Sequence, residues 1–173
     1  YSATKAAADM LITAWGRTHK IPYMILRPTN NYGIGQYVEK LIPKTVKLAN
    51  LGRKVPLHNH GQPYRNWLHA DDTAEAVFTI IDKGDVGEIY NIAGGFEQSN
   101  FDTVRSVFDS MGIDISDGGK ENKHIDYSYS RPGQDVRYSL DDSKLRSLGW
   151  SPKKLFSKEI MGIVSYYKDK FIW

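Results

Sequence analysis

The order of apolar and polar residues along the chain predicts alternating helices and strands. Apolar side chains recur about every 3.6 residues in the longer segments, as they do on one face of a helix. Predicted helices span residues 3–19, 42–51, 71–82, 101 to about 111, 141–148 and 153–171. Predicted strands span residues 23–27, 55–58, 64–69, 88–93 and 124–129, with polar loops at 28–37 and 112–123. Because helices and strands alternate, the sequence predicts an α/β fold.

Three of the predicted helices carry apolar stripes. In the first helix the stripe consists of Ala6, Ala7, Met10, Leu11, Ala14 and Trp15. In the third, where Asp71 or Asp72 is expected to be the cap, the residues expected to face inward are Ala74, Val77, Phe78 and Ile81. In the last, the stripe consists of Phe156, Ile160, Ile163, Val164, Tyr167 and Phe171. Each stripe is expected to pack against another element.

Composition narrows the class of protein. The chain has 173 residues, 40% apolar and 25% charged, which is typical of a globular domain. A net charge of +3 without a run of Lys or Arg does not indicate a nucleic-acid surface. No apolar stretch approaches the ~20 residues of a membrane helix. Cysteine is absent, which excludes disulfides and thiol chemistry in this chain, and we expect a cytoplasmic location.

The first five residues contain the most informative spacing in the chain. Tyr1 and Lys5 are four positions apart, so their side chains are expected on one face of a helix. An ammonium group beside a phenol favours the phenolate, and the pair could exchange a proton with a sugar hydroxyl. The chain starts at this tyrosine without a methionine, so we expect it to be part of a longer protein whose missing portion lies upstream.

Five further segments come after Tyr1 and Lys5 in a recognisable order. They are Arg27–Gly33, Glu39–Pro43, Arg65–Asp72, Tyr90–Gly95 and Arg131–Gly133. In order and spacing the set resembles the extended short-chain dehydrogenase/reductase family. Within it the chain is most similar to the nucleotide-sugar 4,6-dehydratases, particularly those that act on dTDP-glucose. The resemblance covers nearly all of this chain but only the C-terminal half of the family's sequence.

The resemblance implies a fold and its division into domains. Residues 1–30 would be the C-terminal part of a doubly wound Rossmann-type dinucleotide-binding domain, to which segments around 65–95 return. Residues 31–173 would mainly form a smaller α/β domain that binds the sugar nucleotide. The glycine-rich dinucleotide loop, a catalytic threonine and an Asp-Glu pair of the family lie in the N-terminal half, outside these residues.

The resemblance also implies an NAD-dependent reaction. Tyr1 would take the proton from the sugar 4-hydroxyl while a hydride leaves for NAD, and water would then be lost across C5 and C6. Lys5 would hold the nicotinamide ribose and tune Tyr1, and Asn31 would contact the cofactor. The implied product is a 4-keto-6-deoxy sugar.

A diphosphate-containing substrate requires charged donors in fixed positions. Arg65 and Arg131 match the phosphate-binding arginines of the family, and Asn30 matches a side-chain donor to the same group. Two other interpretations remain open at this stage. Arg65 could pack its stem beside Trp67, which is itself expected in the core, and Arg131 could pair with Asp135.

The rest of the nucleotide site is implied by position. Lys40 and Leu41 match residues that line the base and diphosphate. Asn100 matches a nucleotide-contacting asparagine, although it could instead cap the next helix. Pro56 and His58 match positions against the base.

The chain departs from typical dTDP-glucose dehydratases near the nucleotide. His58 stands where they carry tyrosine, and Ser130 and Gln134 stand where they carry aspartate and histidine. Gln134 is still expected to contact the substrate. The spacing His58-x-His60 would place both rings on one face of a strand, but without further ligands it does not indicate a metal site.

Two other functions keep the same motifs. A 4-epimerase or decarboxylase of the same fold would share the Tyr/Lys pair, and a non-catalytic fragment would keep only the phosphate-binding arginines. In the family, the helix that carries Tyr and Lys forms a dimer interface. We therefore expect a homodimer for the complete protein, with Ala6–Ala8, Met10, Leu11 and Trp15 in the contact.

Overall fold

The computed structural model describes residues 1–115 and 122–170. Within these residues the helices are Ser2–His19 (α1), Leu41–Asn50 (α2), Ala70–Lys83 (α3), Asn100–Ser110 (α4), Ser143–Arg146 (α5) and Phe156–Asp169 (α6). The strands are Ile25–Pro28 (β1), Asn30–Tyr32 (β2), Val55–Pro56 (β3), Tyr64–His69 (β4), Ile89–Ile92 (β5), Phe96–Ser99 (β6) and Ile125–Asp126 (β7). The α/β class predicted from the sequence is confirmed.

The strands form three small sheets. β1 pairs in parallel with β5, and β3 pairs in parallel with β7. The third sheet has the order β2-β4-β6, in which β2 and β4 are parallel and β4 and β6 are antiparallel. The parallel pairs require crossover connections, and the one between β2 and β4 contains α2.

Three apolar clusters hold these elements together. The first joins α2, α4 and α6 to β2 and β4, the second packs α3 and α5 on β1 and β5, and the third lies around β3 and β7. The inward residues predicted for the last helix are confirmed for Phe156, Ile160, Ile163 and Val164. Trp67 is also in the core, as predicted, with 5% of its surface exposed. Phe171 lies outside the described residues.

The helix α1 is present as predicted, but none of its side chains is buried. Met10, Leu11 and Trp15 are each more than half exposed, so the described chain does not cover the apolar stripe. A side-chain contact connects the helix to the sheet, because Arg27 Nε donates to Asp9 Oδ2 at 3.1 Å. This contact fixes α1 beside the end of β1.

The prediction for the inward face of α3 was wrong. The buried side chains are Asp72, Ala76 and Ile80, whereas Phe78 is 71% exposed and Ile81 is 64% exposed. Apolar residues occur on both sides of this helix, so hydrophobicity alone did not identify the side that packs. Ala74, which was also expected to face inward, is exposed, and Val77 is only partly buried.

The predicted cap of α3 was also wrong. His69 is the N-cap, and its Nδ1 accepts a hydrogen bond of 3.2 Å from the backbone N–H of Asp71. The Asp72 carboxylate instead accepts hydrogen bonds from the backbone N–H groups of Lys153 and Lys154, both at 3.0 Å. This buried carboxylate therefore connects α3 to the segment before α6 and turns its own side of the helix inward.

Several short strands and loops differ from the sequence prediction. The polar loop expected at 28–37 contains β2, and β6 was not predicted. Both strands are short and polar, so they lack the apolar run that indicates a strand. The strands expected at 55–58 and 124–129 and the helix expected at 141–148 are shorter in the structure. Part of the loop expected at 112–123 lies outside the described residues.

Replacing Asp72 with alanine should lower the free energy of unfolding by about 3 kcal/mol, because it leaves two backbone N–H groups without an acceptor. Chemical denaturation of the two proteins measures this. Asp71→Ala is the matched control, since the neighbouring carboxylate is 69% exposed and its loss should cost about 0.5 kcal/mol or less. Equal effects of the two substitutions would contradict the proposed role of Asp72.

Candidate active site

Tyr1 and Lys5 lie on the same side of α1, one turn apart. The Lys5 Nζ atom is 5.7 Å from the centroid of the Tyr1 ring. The Tyr1 carbonyl accepts hydrogen bonds from the Lys5 N–H at 3.0 Å and from Thr4 Oγ1 at 2.7 Å. Tyr1 is 92% exposed, so its phenol is open to a ligand. The helix thus provides the geometry that the i, i+4 spacing predicts.

The side chain of Asn66 joins the ends of three strands beside α1. Its Oδ1 accepts hydrogen bonds from Thr29 Oγ1 at 3.2 Å and from the backbone N–H of Gly94 at 2.8 Å. Gly94 must be glycine, because a Cβ there would lie 1.8 Å from the Trp67 carbonyl oxygen. Sequence reasoning missed Asn66, although a buried amide inside an apolar strand was a detectable signal.

Asn31 connects β2 to α3 and to the loop after β2. Its Nδ2 donates to the Thr29 carbonyl at 3.0 Å, and its Oδ1 accepts from Thr73 Oγ1 at 2.7 Å. Its carbonyl also accepts from Gln36 Nε2 at 2.7 Å. Asn31 is therefore held rigidly at the start of α3, while the preceding Asn30 is exposed.

Arg65 is a buried cation without an acidic partner among the described residues. Only 8% of its surface is exposed, and its NH1 donates to the carbonyls of Tyr64 at 2.6 Å and Asp135 at 3.1 Å. The guanidinium carbon lies 4.9 Å from the centroid of the Tyr138 ring. These hydrogen-bond partners are neutral, and the nearby Asp135 carboxylate favours the charge of Arg65 without forming an ion pair with it. A buried positive charge of this kind is suited to an anionic ligand.

The pKa of Arg65 is lowered, first by burial. Tyr138 and Asp135 oppose this shift, whereas the charge of Arg131 adds to it. Two guanidinium groups are therefore close enough to repel each other. An anion with two negative phosphates would relieve this repulsion.

Tyr138, which sequence reasoning missed, links Arg65 to the Tyr1 end of α1. Its hydroxyl donates a hydrogen bond to Asp135 Oδ2. This bond raises the pKa of Tyr138, followed in effect by burial and by the negative charge of Asp135. Tyr1 contributes a smaller increase to the same pKa. Tyr138 therefore contacts the Arg65 guanidinium and also responds to the charge of Tyr1.

Among the described residues Arg131 forms no ion pair with Asp135, whose Oδ2 accepts a hydrogen bond from the Tyr138 hydroxyl. Arg131 is instead exposed at its side chain and held by its backbone. Its N–H donates to Asn59 Oδ1 at 3.1 Å, and its carbonyl accepts from Asn59 Nδ2 at 3.3 Å. Gln134 is held by the same residue, since its Oε1 accepts from Asn59 Nδ2 at 3.1 Å.

Lys40 and Leu41 begin α2. Lys40 is the N-cap residue and is exposed, with its Nζ 2.9 Å from Glu39 Oε1. Leu41 is partly buried against two of the apolar clusters. The first turn of α2 thus carries an exposed charged residue, Lys40, next to a partly buried apolar residue, Leu41.

Pro56 lies in β3, and the chain then enters a short 3₁₀ turn, His58–Gly61. His58 and His60 are consequently in a turn and not on a strand, which corrects the expectation that their rings share a face. The ring of His58 packs edge-on against Tyr129 at 5.6 Å. Within residues 1–115 and 122–170, no three His, Asp or Glu side chains cluster as metal ligands would.

Asn100 is not the cap of α4. Ser99 is the N-cap, and its Oγ accepts from the Asp102 N–H at 2.9 Å. Asn100 is the first residue of the helix, and its own N–H donates to the Pro63 carbonyl at 2.9 Å. Its side chain is partly exposed beside the start of β4.

The parallel strand pairs and the helices packed on them define an α/β protein. The chain matches the model of the NAD dependent epimerase/dehydratase family over residues 1–93. It belongs to this family. In the part of the chain that the structure describes, no helix is long and apolar enough to cross a membrane.

Three relatives illustrate the similarity. The low-salt glycan biosynthesis protein Agl12 of Haloferax volcanii is 38% identical over 96% of this chain and 52% of its own length. The dTDP-glucose 4,6-dehydratase 1 of Escherichia coli K12 is 37% identical over 100% of this chain and 48% of its own. The dTDP-glucose 4,6-dehydratase of Bacillus anthracis, solved in complex with NAD, superposes with a TM-score of 0.85 and 36% identity. That match covers 98% of this chain and 52% of the solved chain. The chain spans about half the length of the curated relatives it matches.

Replacing Asp135 with asparagine should lower the pKa of Tyr138 toward the ordinary value of a tyrosine. The carboxylate accepts the phenol's proton and repels the phenolate, and the amide has no charge to do so. NMR titration of ¹³Cζ-labelled tyrosines measures this, with Tyr138→Phe to assign the signal. The pKa of Tyr167, which is raised chiefly by burial and not by Asp135, should not change. If the pKa of Tyr138 does not change, Asp135 is not the cause of its increase.

Proposed function

We propose that the complete protein is an NAD-dependent nucleotide-sugar 4,6-dehydratase that acts on a nucleotide-diphospho-hexose, with dTDP-glucose as the first candidate. The observation that carries the proposal is an exposed Tyr1/Lys5 pair together with a buried arginine whose aromatic neighbour, Tyr138, is influenced by the charge of Tyr1. One group can exchange a proton with a sugar hydroxyl, and the other can bind its diphosphate. The sequence similarity to dTDP-glucose 4,6-dehydratases supports the choice of substrate.

The residues near Tyr1 suit a dinucleotide. Tyr1 and Lys5 both extend from one face of α1 without a competing ion pair among the described residues, so a ribose hydroxyl could reach the Lys5 ammonium. Asn31 presents a fixed amide because both of its ends are already bonded to protein. When bound, NAD supplies the acceptor and donor of a hydride. We propose Tyr1, Lys5 and Asn31 as the residues of this chain that contact it.

Tyr1 is the proposed base. Its phenolate accepts the proton of the sugar 4-hydroxyl as that carbon is oxidised, and the Lys5 ammonium stabilises the phenolate. The resulting ketone acidifies the proton on C5, which allows water to be lost across C5 and C6. The acid and base for that elimination are expected outside these 173 residues. Tyr1 therefore acts in the first step, the oxidation at C4.

The diphosphate is proposed to lie between Arg65 and Arg131. Arg65 is preorganised by two carbonyls and the Tyr138 ring, so its planar donors need little reorientation. Asn30 and Gln134 are proposed as additional amide donors. The base end of the nucleotide is assigned to the remaining predicted residues, which are Lys40, Leu41, Pro56, His58 and Asn100.

A 4-epimerase or decarboxylase remains the second candidate, because the matching family model covers both epimerases and dehydratases. Those reactions share the first oxidation at C4 and differ in the fate of the 4-keto intermediate. A non-catalytic nucleotide-binding role would need only the arginines. Product analysis separates the three, since they yield a 4-keto-6-deoxy sugar, another sugar product and no product, respectively.

We also propose how the chain is arranged in the complete protein. Residues 1–30 and segments around 65–95 belong to the dinucleotide-binding domain, and residues 31–173 mainly form the substrate domain. The uncovered apolar stripe of α1, with Met10, Leu11 and Trp15, suits a homodimer contact. A cytoplasmic location is the setting in which we expect the enzyme to act.

Replacing Tyr1 with phenylalanine in the complete protein should reduce kcat by about 10²–10⁴-fold with dTDP-glucose, because the base is removed. Binding of dTDP should change little, since Tyr1 is not among the residues proposed to bind the diphosphate. Detection of the 4-keto-6-deoxy product measures turnover. Tyr166→Phe is the control, since this tyrosine lies on α6, and it should retain activity. Full activity of Tyr1→Phe would exclude the proposed mechanism.

The 173-residue chain alone should form no 4-keto-6-deoxy product from dTDP-glucose and NAD. The glycine-rich loop and the Asp-Glu pair that the family uses lie outside it. The reaction mixture is analysed for the 4-keto product, with a dTDP-glucose 4,6-dehydratase as the positive control. Product formed by the chain alone would mean that these residues contain a complete catalytic site.

A further inference from the structure

Asn59 holds the segment that carries Arg131, although the two residues are far apart in sequence. Its Oδ1 accepts from the Arg131 N–H at 3.1 Å and from Ser130 Oγ at 3.3 Å. Its Nδ2 donates to the Arg131 carbonyl at 3.3 Å and to Gln134 Oε1 at 3.1 Å. Its backbone N–H donates to the Tyr129 carbonyl at 3.1 Å. One side chain therefore contacts three of the five residues in the segment 130–134.

The hydrogen bonds of Asn59 reach much further along the chain than those that asparagine usually makes in a turn. Asn59 has φ 50°, a left-handed conformation that asparagine tolerates better than most residues. An asparagine in a turn usually bonds to its own neighbouring backbone. Here the amide bonds instead to a segment more than 70 positions away. The conformation of the turn orients the Asn59 side chain, and the hydrogen bonds of that side chain hold the segment 130–134 in place.

The orientation of the Asn59 amide is determined by backbone groups. The Arg131 N–H can only donate, so it must face the amide oxygen, and the Arg131 carbonyl can only accept, so it must face the amide nitrogen. The amide nitrogen then also faces Gln134, which must present its oxygen. The Nε2 donors of Gln134 are left for another partner, and a phosphate oxygen is an acceptor of the required kind.

Two polar side chains of the segment 130–134 meet at this amide. Ser130 and Gln134 both contact Asn59. An aspartate at 130 would place a carboxylate beside the amide oxygen of Asn59 and repel it. The three residues are therefore mutually compatible, and the Asn59 amide is the group they share.

We propose that Asn59 is a positioning residue for the diphosphate: it places the backbone of Arg131 and orients Gln134 so that both direct donors toward the phosphates. This inference rests on the proposed function, in which Arg131 and Gln134 bind a nucleoside diphosphate. Asn59 itself does not contact the ligand. Its effect should therefore depend on the presence of both Arg131 and Gln134.

The test uses Asn59→Gly in the complete protein. Glycine accepts a φ of 50° without strain, so the substitution removes the amide and keeps the turn. We expect the affinity for dTDP, measured by calorimetry, to fall about tenfold, because the loss of preorganisation is comparable to one net hydrogen bond. KM for dTDP-glucose should rise more than kcat falls. Asn50→Gly, which removes an amide at the end of α2, is the control and should bind dTDP normally.

A double-mutant cycle separates positioning from general destabilisation. In an Arg131→Ala/Gln134→Ala background, Asn59→Gly should cause little further loss of dTDP affinity, whereas a purely structural effect would persist. Gln134→Glu, which keeps an acceptor toward Asn59 but removes the donors, should weaken dTDP binding by at least as much as Asn59→Gly. This substitution provides the test if Asn59→Gly does not fold.

The outcomes distinguish this inference from the proposed function. If Arg131→Ala weakens dTDP binding but neither Asn59→Gly nor Gln134→Glu does, the positioning role is wrong and the proposed function stands. If Arg131→Ala and Arg65→Ala both bind dTDP normally, the diphosphate site itself is wrong, and the inference fails with it.

Discussion

The amide oxygen of Asn66 is the interaction on which the site depends. It accepts hydrogen bonds from the end of β1, through Thr29, and from the turn after β5, through Gly94. Since Asn66 is on β4, this single acceptor connects two different sheets. The close approach that it requires is possible only because Gly94 has no side chain against the Trp67 carbonyl. The relative position of the sheets decides where Tyr1 lies with respect to Arg65.

Arg65 is the neighbour of Asn66 on β4, and successive residues of a strand face opposite sides. On β4, the Asn66 side chain therefore joins the two sheets, and the Arg65 side chain places its charge on the opposite side of the strand. The charge is surrounded by carbonyl groups and by a phenol ring, while the nearby carboxylate of Asp135 is bound to Tyr138. Burial lowers the pKa of Arg65, and Asp135 opposes this shift only in part. That cost of burying a charge supports the proposal that Arg65 binds an anion.

The sequence predicted most helices because their apolar residues repeat over several turns. It failed where the deciding interaction joins distant residues. On α3, Phe78 and Ile81 were as apolar as the buried positions, but the bonds from the backbone of Lys153 and Lys154 to Asp72 turn the other side inward. The short strand β6 was missed because its pairing with β4, and not its own composition, makes it a strand.

By itself, the sequence determined the α/β class and the spacing of Tyr1 and Lys5, because these depend on local periodicity and on positions along one helix. It also indicated the family, through the resemblance of several motifs along the chain to those of its members. Only the tertiary structure decided that Tyr138 supports Arg65, that Arg131 is held through Asn59 and that Asn66 joins the sheets. Each of these contacts links residues from about 30 to more than 70 positions apart. Hydrogen bonds over such separations leave no periodic signal in the sequence, since any polar residue at either end looks like a surface residue until the chain is folded.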